Sequence, residues 1–270
     1  MNEMNLFRKP YPIASDIFLI DGHTAFLMLP DERKIANSMP WVWYAPTLPG
    51  LPGPEEEWML RQFLAAGIAV AGIDVGESYG SPGGRSGFSA LYRELVHIRK
   101  FSAKPALLAR SRGGLMHYNW AADHPTSVSC IAGIYPVCNL LSFPGLEMAC
   151  EAYEMAPEQF GVTLSHHNPI DRLSCLADAG IPIFHMAGDQ DLVVPLEPNS
   201  QELAVRYRRY GGDMTLRVVR GRGHDMWAGW FQCPELVDFV ISHVHLKTGS
   251  VNGMRSFFKD AFRRFFSEKD

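Results

Sequence analysis

The sequence predicts an α/β protein whose mostly parallel central sheet is covered by helices on both faces. Three observations carry that expectation. From about residue 41 to residue 245, short apolar runs bounded by turn residues alternate with longer amphipathic stretches, the rhythm of strand–helix–strand units. The apolar runs are near-continuous and do not alternate with polar residues, as strands buried on both faces require. The chain has 270 residues, of which 47% are hydrophobic and 20% charged, enough apolar surface for one large core.

The elements follow in order. Residues Ile17–Ile20 and His23–Leu29 flank Asp21-Gly22. Asp-Gly between two apolar runs signals a hairpin, so the sheet is expected to begin with an antiparallel pair. Trp41–Ala45 reads as a buried strand, and the Pro- and Gly-rich stretch Pro46–Pro54 as a loop. Glu55–Ala66 reads as a helix with acidic residues in its first turn, where the helix dipole favours them. Then come a strand at Ile68–Ile73, a helix at Phe88–Phe101, a strand at Ala106–Ala109, a helix at Gly113–Ala122 and a sixth strand at Cys130–Ile134. Ile181–Ala187, Leu203–Tyr210 and Thr215–Val219 continue as strand, helix and strand, and Leu236–Val244 closes as a helix.

Between Tyr135 and Leu173 the rhythm breaks, over a stretch too long for a plain loop. A small helical insertion, about residues 135–175, is expected after the sixth strand, over the sheet edge. It either adds packing or forms a lid over a pocket. Residues 1–245 are expected to form one domain, followed by an amphipathic tail at 246–270. In that tail Phe258, Phe262, Phe265 and Phe266 share one helical face. Such a face suits a membrane surface, the chain's own domain or a second subunit. Docking or a homo-oligomer contact is favoured, because the chain as a whole is acidic.

Composition excludes several classes. The formal charge is −4, against the surplus of Lys and Arg that nucleic-acid binding needs. The longest apolar run, Phe63–Ile73, is too short for a transmembrane segment. The first ten residues lack a charged-then-apolar leader pattern, which points to the cytoplasm. Five cysteines, an odd number with no C-x-x-C pair, argue against a zinc ribbon or disulfide framework and read as small buried residues. No metal or organic cofactor is expected. No H-E-x-x-H occurs, and the adjacent His166 and His167 point apart on a helix. The Gly-rich stretch after Ile73 lacks the Gly-Lys-Ser/Thr of a P-loop.

The chemistry concentrates in three segments. In Ala106-Leu107-Leu108-Ala109-Arg110-Ser111-Arg112-Gly113-Gly114 an apolar strand runs into a serine and then into a helix. A serine at such a turn has its hydroxyl thrust out of the sheet, and small residues two before and two after relieve the crowding. Here those are Ala109 and Gly113; the usual pattern has Gly where Ala109 stands. Ile183-Phe184-His185-Met186-Ala187-Gly188-Asp189-Gln190-Asp191 is a strand ending in an acidic turn. Val218-Val219-Arg220-Gly221-Arg222-Gly223-His224 is a strand ending at a histidine. Serine, acid and histidine thus each fall just past a strand's C-terminal end, the edge at which open α/β sheets place their sites.

In type, order and placement these motifs resemble the α/β-hydrolase superfamily, over roughly residues 17–245. The closest likeness is to esterase-like and acetylxylan-esterase-like branches and to prolyl-oligopeptidase-type catalytic domains. The resemblance implies Ser111 as nucleophile, His224 as base and Asp191, the Asp before x-x-Val-Pro, as the acid; Asp189 is the rival. A serine hydroxyl is a weak nucleophile until a base takes its proton, and an imidazole, titrating near neutrality, does so. One oxyanion-hole donor is expected from the N–H of Arg112 and the other from Thr47 or Leu48, since proline cannot donate.

Glu77, Tyr79 and Arg85 follow another strand at the same edge and are candidate substrate contacts, or else a rigid loop in which Glu77 pairs with Arg110 or Arg112. Those two arginines suit either a substrate carboxylate or structural ion pairs, the latter favoured. Trp227, with Trp230 and Phe231, is either a stacking wall for substrate or core. The resemblance implies a serine esterase acting on a small-molecule or saccharide ester. A peptidase, a lyase on the same fold, and a non-catalytic binding module are the alternatives. The absence of a large gating domain counts against the peptidase. The polar loop and tryptophans favour a carbohydrate ester, acetyl or uronate, over a long-chain lipid.

Overall fold

A computed structural model describes residues 11–30, 38–48 and 50–245. The tail at 246–270, with its expected subunit contact, lies outside the described residues. Eight strands form one sheet: β1 (Asp16–Ile20), β2 (His23–Met28), β3 (Trp41–Tyr44), β4 (Ala69–Asp74), β5 (Ala106–Arg110), β6 (Cys130–Ile134), β7 (Ile183–Gly188) and β8 (Met214–Val219). Their spatial order is β1-β2-β4-β3-β5-β6-β7-β8. β1 and β2 are antiparallel to their neighbours, and β3 to β8 run parallel. The hairpin closes with Ile20 paired to His23, and both turn residues, Asp21 (φ 48°) and Gly22 (φ 82°), are left-handed. A two-residue turn needs that backbone to match the strand twist, and Asp-Gly adopts it at low cost.

The helices are α1 (Glu57–Ala65), α2 (Pro82–Tyr92), α3 (Gly113–Asp123), α4 (Leu146–Tyr153), α5 (Pro157–Thr163), α6 (Ser174–Asp178), α7 (Glu202–Arg209), α8 (Ala228–Phe231) and α9 (Pro234–His245). The continuous apolar runs are explained by the pleat. Along β3, Trp41 and Trp43 enter the core beneath α2, α3 and α7, while Val42 and Tyr44 enter the core beneath α1 and α9. Successive side chains point to opposite faces, so a strand covered twice buries every side chain and favours apolar ones.

Several boundaries differ from the sequence expectation for physical reasons. α2 begins at Pro82 rather than at Phe88: Ser81 caps it by accepting from Gly84 N (3.4 Å), and Pro82 sits where a missing N–H costs nothing. Gly84 and Gly87, which look like loop residues, are instead required by close packing. A Cβ at Gly84 would fall on Ser78, and one at Gly87 would lie 2.6 Å from Val75. α2 continues through a π-helical turn, Arg93–Ile98. α1 begins at Glu57, preceded by a 3-10 turn at Pro54–Glu56, and Glu56 is buried rather than facing solvent at the dipole. Of the five cysteines, Cys175 is only partly buried.

The insertion holds α4 and α5. Val137, Leu140, Ala149, Tyr153 and Phe160 build a small core against Tyr79, Leu115 and Val194. Leu115 lies in the first turn of α3 and Tyr79 in the loop after β4, so the insertion rests on the C-terminal edge of the sheet. Among the described residues no helix is long and apolar enough to cross a membrane.

Two histidines, His117 on α3 and His185 on β7, sit in the core between sheet and helices. Burial pushes each from the ordinary 6.5 down to about 3. Both therefore stay neutral in the folded chain, while the unfolded chain protonates them below about pH 6.5. Their stabilising effect is complete above that pH and is lost as pH falls towards 3, by at most ~1.4 kcal/mol per pH unit for each. Urea denaturation at pH 7, 6 and 5 should show His117→Phe, which keeps a ring between Trp43 and Phe88, losing stability less steeply than wild type. Parallel curves for the two proteins would refute this.

Candidate active site

The site is built on the turn after β5. Ser111 has φ 49°, a left-handed backbone that a residue with a Cβ adopts only under constraint. Three hydrogen bonds supply the constraint. Its N–H donates to Ile134 O (3.0 Å), and its carbonyl accepts from Gly114 N (2.9 Å) and Val137 N (2.8 Å). Ala109, on the strand before it, is fully buried. After the serine, the tightest position is Gly114, where a Cβ would fall on the Val137 carbonyl; at Gly113 it would lie 3.2 Å from Ala45 Cβ. The sequence pattern singles out Gly113; the steric demand is greater one residue later.

The turn aims Ser111 Oγ at His224 Nε2, 3.0 Å away. On the other side of the ring, His224 Nδ1 lies 2.8 Å from Asp191 Oδ2. The second oxygen of Asp191 accepts from Val193 N (2.9 Å) and Val194 N (2.7 Å), and the carboxylate is almost wholly buried. The carboxylate is thus held on both oxygens, by backbone on one and by the imidazole on the other. Asp189, the rival acid, accepts from Gly221 N (2.7 Å) and ties the β7 turn to the β8 turn. After His224, Asp225 accepts from Trp227 N (3.1 Å) and Trp230 Nε1 (2.8 Å). The indole donation holds the Asp225 carboxyl below its usual range.

Solved structures share this architecture. An S-formylglutathione hydrolase from Agrobacterium tumefaciens superposes with a TM-score of 0.63 at 16% identity, over 86% of this chain and 93% of that one. MPT51 (FbpC1) of Mycobacterium tuberculosis gives 0.67 at 12% identity, over 86% and 99%. A puromycin-hydrolyzing peptidase of the same organism gives 0.66 at 17% identity, over 85% of this chain and 40% of that one. The chain has the α/β-hydrolase fold. It spans well under half the length of that peptidase, and 35% of a dipeptidyl peptidase 4 from Porphyromonas gingivalis. No protein-family model and no curated protein sequence matches it.

In this α/β-hydrolase fold the remaining sequence candidates separate. Thr47 is buried beside the elbow, its Cγ2 3.6 Å from where a Cβ on Gly113 would stand, whereas the Leu48 side chain is exposed. Arg112 pairs with Glu77 and lies 5.7 Å over the ring of Phe143 from the insertion. Burial pushes the Glu77 carboxyl up, against the opposing pull of Arg112. Tyr79 is buried, with its carbonyl accepting from Tyr153 Oη (3.0 Å). Arg85 is not brought to Ser111. It pairs with Asp123 (3.1 Å) at the far end of α3, ~15 Å along the helix from the elbow. The loop reading of residues 82–85 fails here because those residues are helical, and the helix turns Arg85 away. Trp227 is half-buried with the Arg222 guanidinium 4.4 Å over its ring, while Trp230 and Phe231 are core.

Arg110 turns under the elbow to Glu56, as the ion-pair reading holds, and lies 4.9 Å over Phe231. Glu56 also accepts from Tyr44 Oη (2.8 Å) and Gly53 N (2.9 Å). Tyr135 is a site residue that the sequence reading misses. It is the first residue after β6, buried, with its ring centroid 4.3 Å from that of His224. Its place at the C-terminal end of a strand is the only signal the sequence offers.

The steric order at the elbow is measurable. Gly114→Ala should cost ~1–3 kcal/mol, because backbone must shift to admit the methyl group. Gly113→Ala, facing only another methyl at 3.2 Å, should cost less. Thermal unfolding of the two variants side by side checks this, and equal losses would contradict it.

Proposed function

We propose that the protein is a serine hydrolase that cleaves a carboxylic ester through an acyl-enzyme on Ser111. The observation that supports this most is the unbroken relay from Ser111 through His224 to Asp191, placed on a strained turn. In this reading Ser111 Oγ attacks the ester carbonyl as its proton passes to His224 Nε2. Asp191 holds the Nδ1–H tautomer and stabilises the imidazolium. The oxyanion receives the N–H of Arg112, which opens α3, and that of Thr47 or Leu48. Collapse of the tetrahedral intermediate breaks the ester C–O bond, and His224 returns the proton to the leaving alcohol. Water then repeats the sequence and frees the acid.

The substrate's alcohol is open to a narrower reading. Support for a saccharide rests on Tyr79, Glu77 and Trp227, since Arg85 is engaged elsewhere. Leu48, Leu141, Leu192, Val193 and Met226 are all exposed on loops after β3, β6, β7 and β8. Those exposed apolar side chains past the C-terminal ends of strands support an ester with an apolar portion at least as well. An amide bond is the alternative for the same machinery.

A fluorophosphonate should add one label to the wild-type protein and none to Ser111→Ala. Turnover of p-nitrophenyl acetate should fall in that variant by at least about 10⁴-fold. Asp191→Asn should lose about 10⁴-fold in kcat, whereas Asp189→Asn should keep most activity and lose stability. Parallel assays with acetylated sugars, aryl esters and a peptide amide sort the substrate class. Absence of labelling, or undiminished turnover in Ser111→Ala, would leave a non-catalytic binding module as the reading.

A further inference from the structure

We infer that Tyr135 is a positioning residue for His224, gripping the flank of the imidazole that Ser111 and Asp191 leave free; this rests on the relay proposed above. His224 touches Ser111 at one ring nitrogen and Asp191 at the other. Two in-plane contacts fix where the ring edge lies but leave it free to rock about the line joining them. Tyr135 supplies the out-of-plane contact, with centroids 4.3 Å apart and ring planes inclined at 53°.

The surroundings also fix Tyr135. Both are the first residue after a strand, β6 and β5 respectively, and both have a left-handed backbone, with φ 36° and 49°. Tyr135 N donates to Met186 O (2.7 Å) on β7. Its ring packs edge-on against buried Trp230 at 5.4 Å. Burial pushes its hydroxyl up to about 12 against the opposing pull of the Arg110 guanidinium, whose charge Glu56 balances. Left-handed non-glycine residues cluster where structure is kept for function. Three adjacent strands, β5, β6 and β7, thereby each lead into one contact with a single histidine.

The contact also favours the charged ring. The π face of a tyrosine attracts a cation, so the imidazolium formed during acylation gains more from Tyr135 than the neutral imidazole does. Interactions that strengthen in the transition state raise kcat and leave KM alone.

Two variants and one spectrum test this. Tyr135→Leu removes the aromatic face; it should lower kcat for p-nitrophenyl acetate about tenfold with KM unchanged. Tyr135→Phe restores the face without the hydroxyl and should recover kcat to within about threefold of wild type. If Leu and Phe variants lose stability while kcat holds in both, the role is structural packing and the inference fails. In the wild-type protein, NMR of labelled histidine should show the carbon-bound ring protons of His224, assigned with His224→Gln, moved upfield by the Tyr135 ring current. Unmoved protons would overturn the contact itself, even if neither variant folds. Failure of wild-type turnover and labelling, with the upfield shift present, would instead sink the hydrolase reading and leave the positioning geometry intact.

Discussion

The left-handed turn at Ser111 is the constraint on which the rest of the site depends. A serine with positive φ is held only because β6 and the segment after it accept and donate on both sides of its peptide groups. Those bonds demand that Gly114 carry no side chain and that Ala45 and Thr47 crowd close to Gly113. The parallel pairing of β5 with β3 and β6 is therefore part of the site's geometry as well as the scaffold beneath it. A shift of one residue in either register would move Ser111 out of line with His224.

The charges flanking Ser111 have distinct fates. Arg110 points down into the core and is neutralised by Glu56, itself held by Tyr44 and Gly53. Arg112 points the other way, towards Glu77 and the insertion. Burying one unpaired cation here would cost several kcal/mol, so each arginine has its carboxylate.

Much of this was legible in the sequence because the informative residues stand at strand ends. Ser111, Asp191 and His224 each follow a run that reads as a strand, buried for β5 and β7 and largely exposed for the edge strand β8, and strand polarity places all three at one edge. The pairing of Glu56 with Arg110 was hidden, since an acidic residue in a helix's first turn has an adequate local explanation. The helical start at Pro82 was hidden for a similar reason. Gly83 and Gly84 look like loop chemistry, and only the approach of Ser78 and Val75 shows that close packing requires Gly84 and Gly87 in a helix. Tyr135 reads as the first residue of an irregular stretch. Its partner His224 lies on a loop that sequence cannot place in contact with it.

The insertion carries a consequence for how the molecule is held together. Its core is the smallest of the three and is shared with the main body through Tyr79, Leu115 and Val194. Among the described residues, no member of that core lies on a strand of the sheet. The ends of the insertion are anchored in the main body, with Cys138, Ile170 and Leu173 in the core beneath α2, α3 and α7, so the segment holding α4 and α5 is the part that rests on the smaller core. The segment after β6 and the sheet beneath it are thus held by different cores.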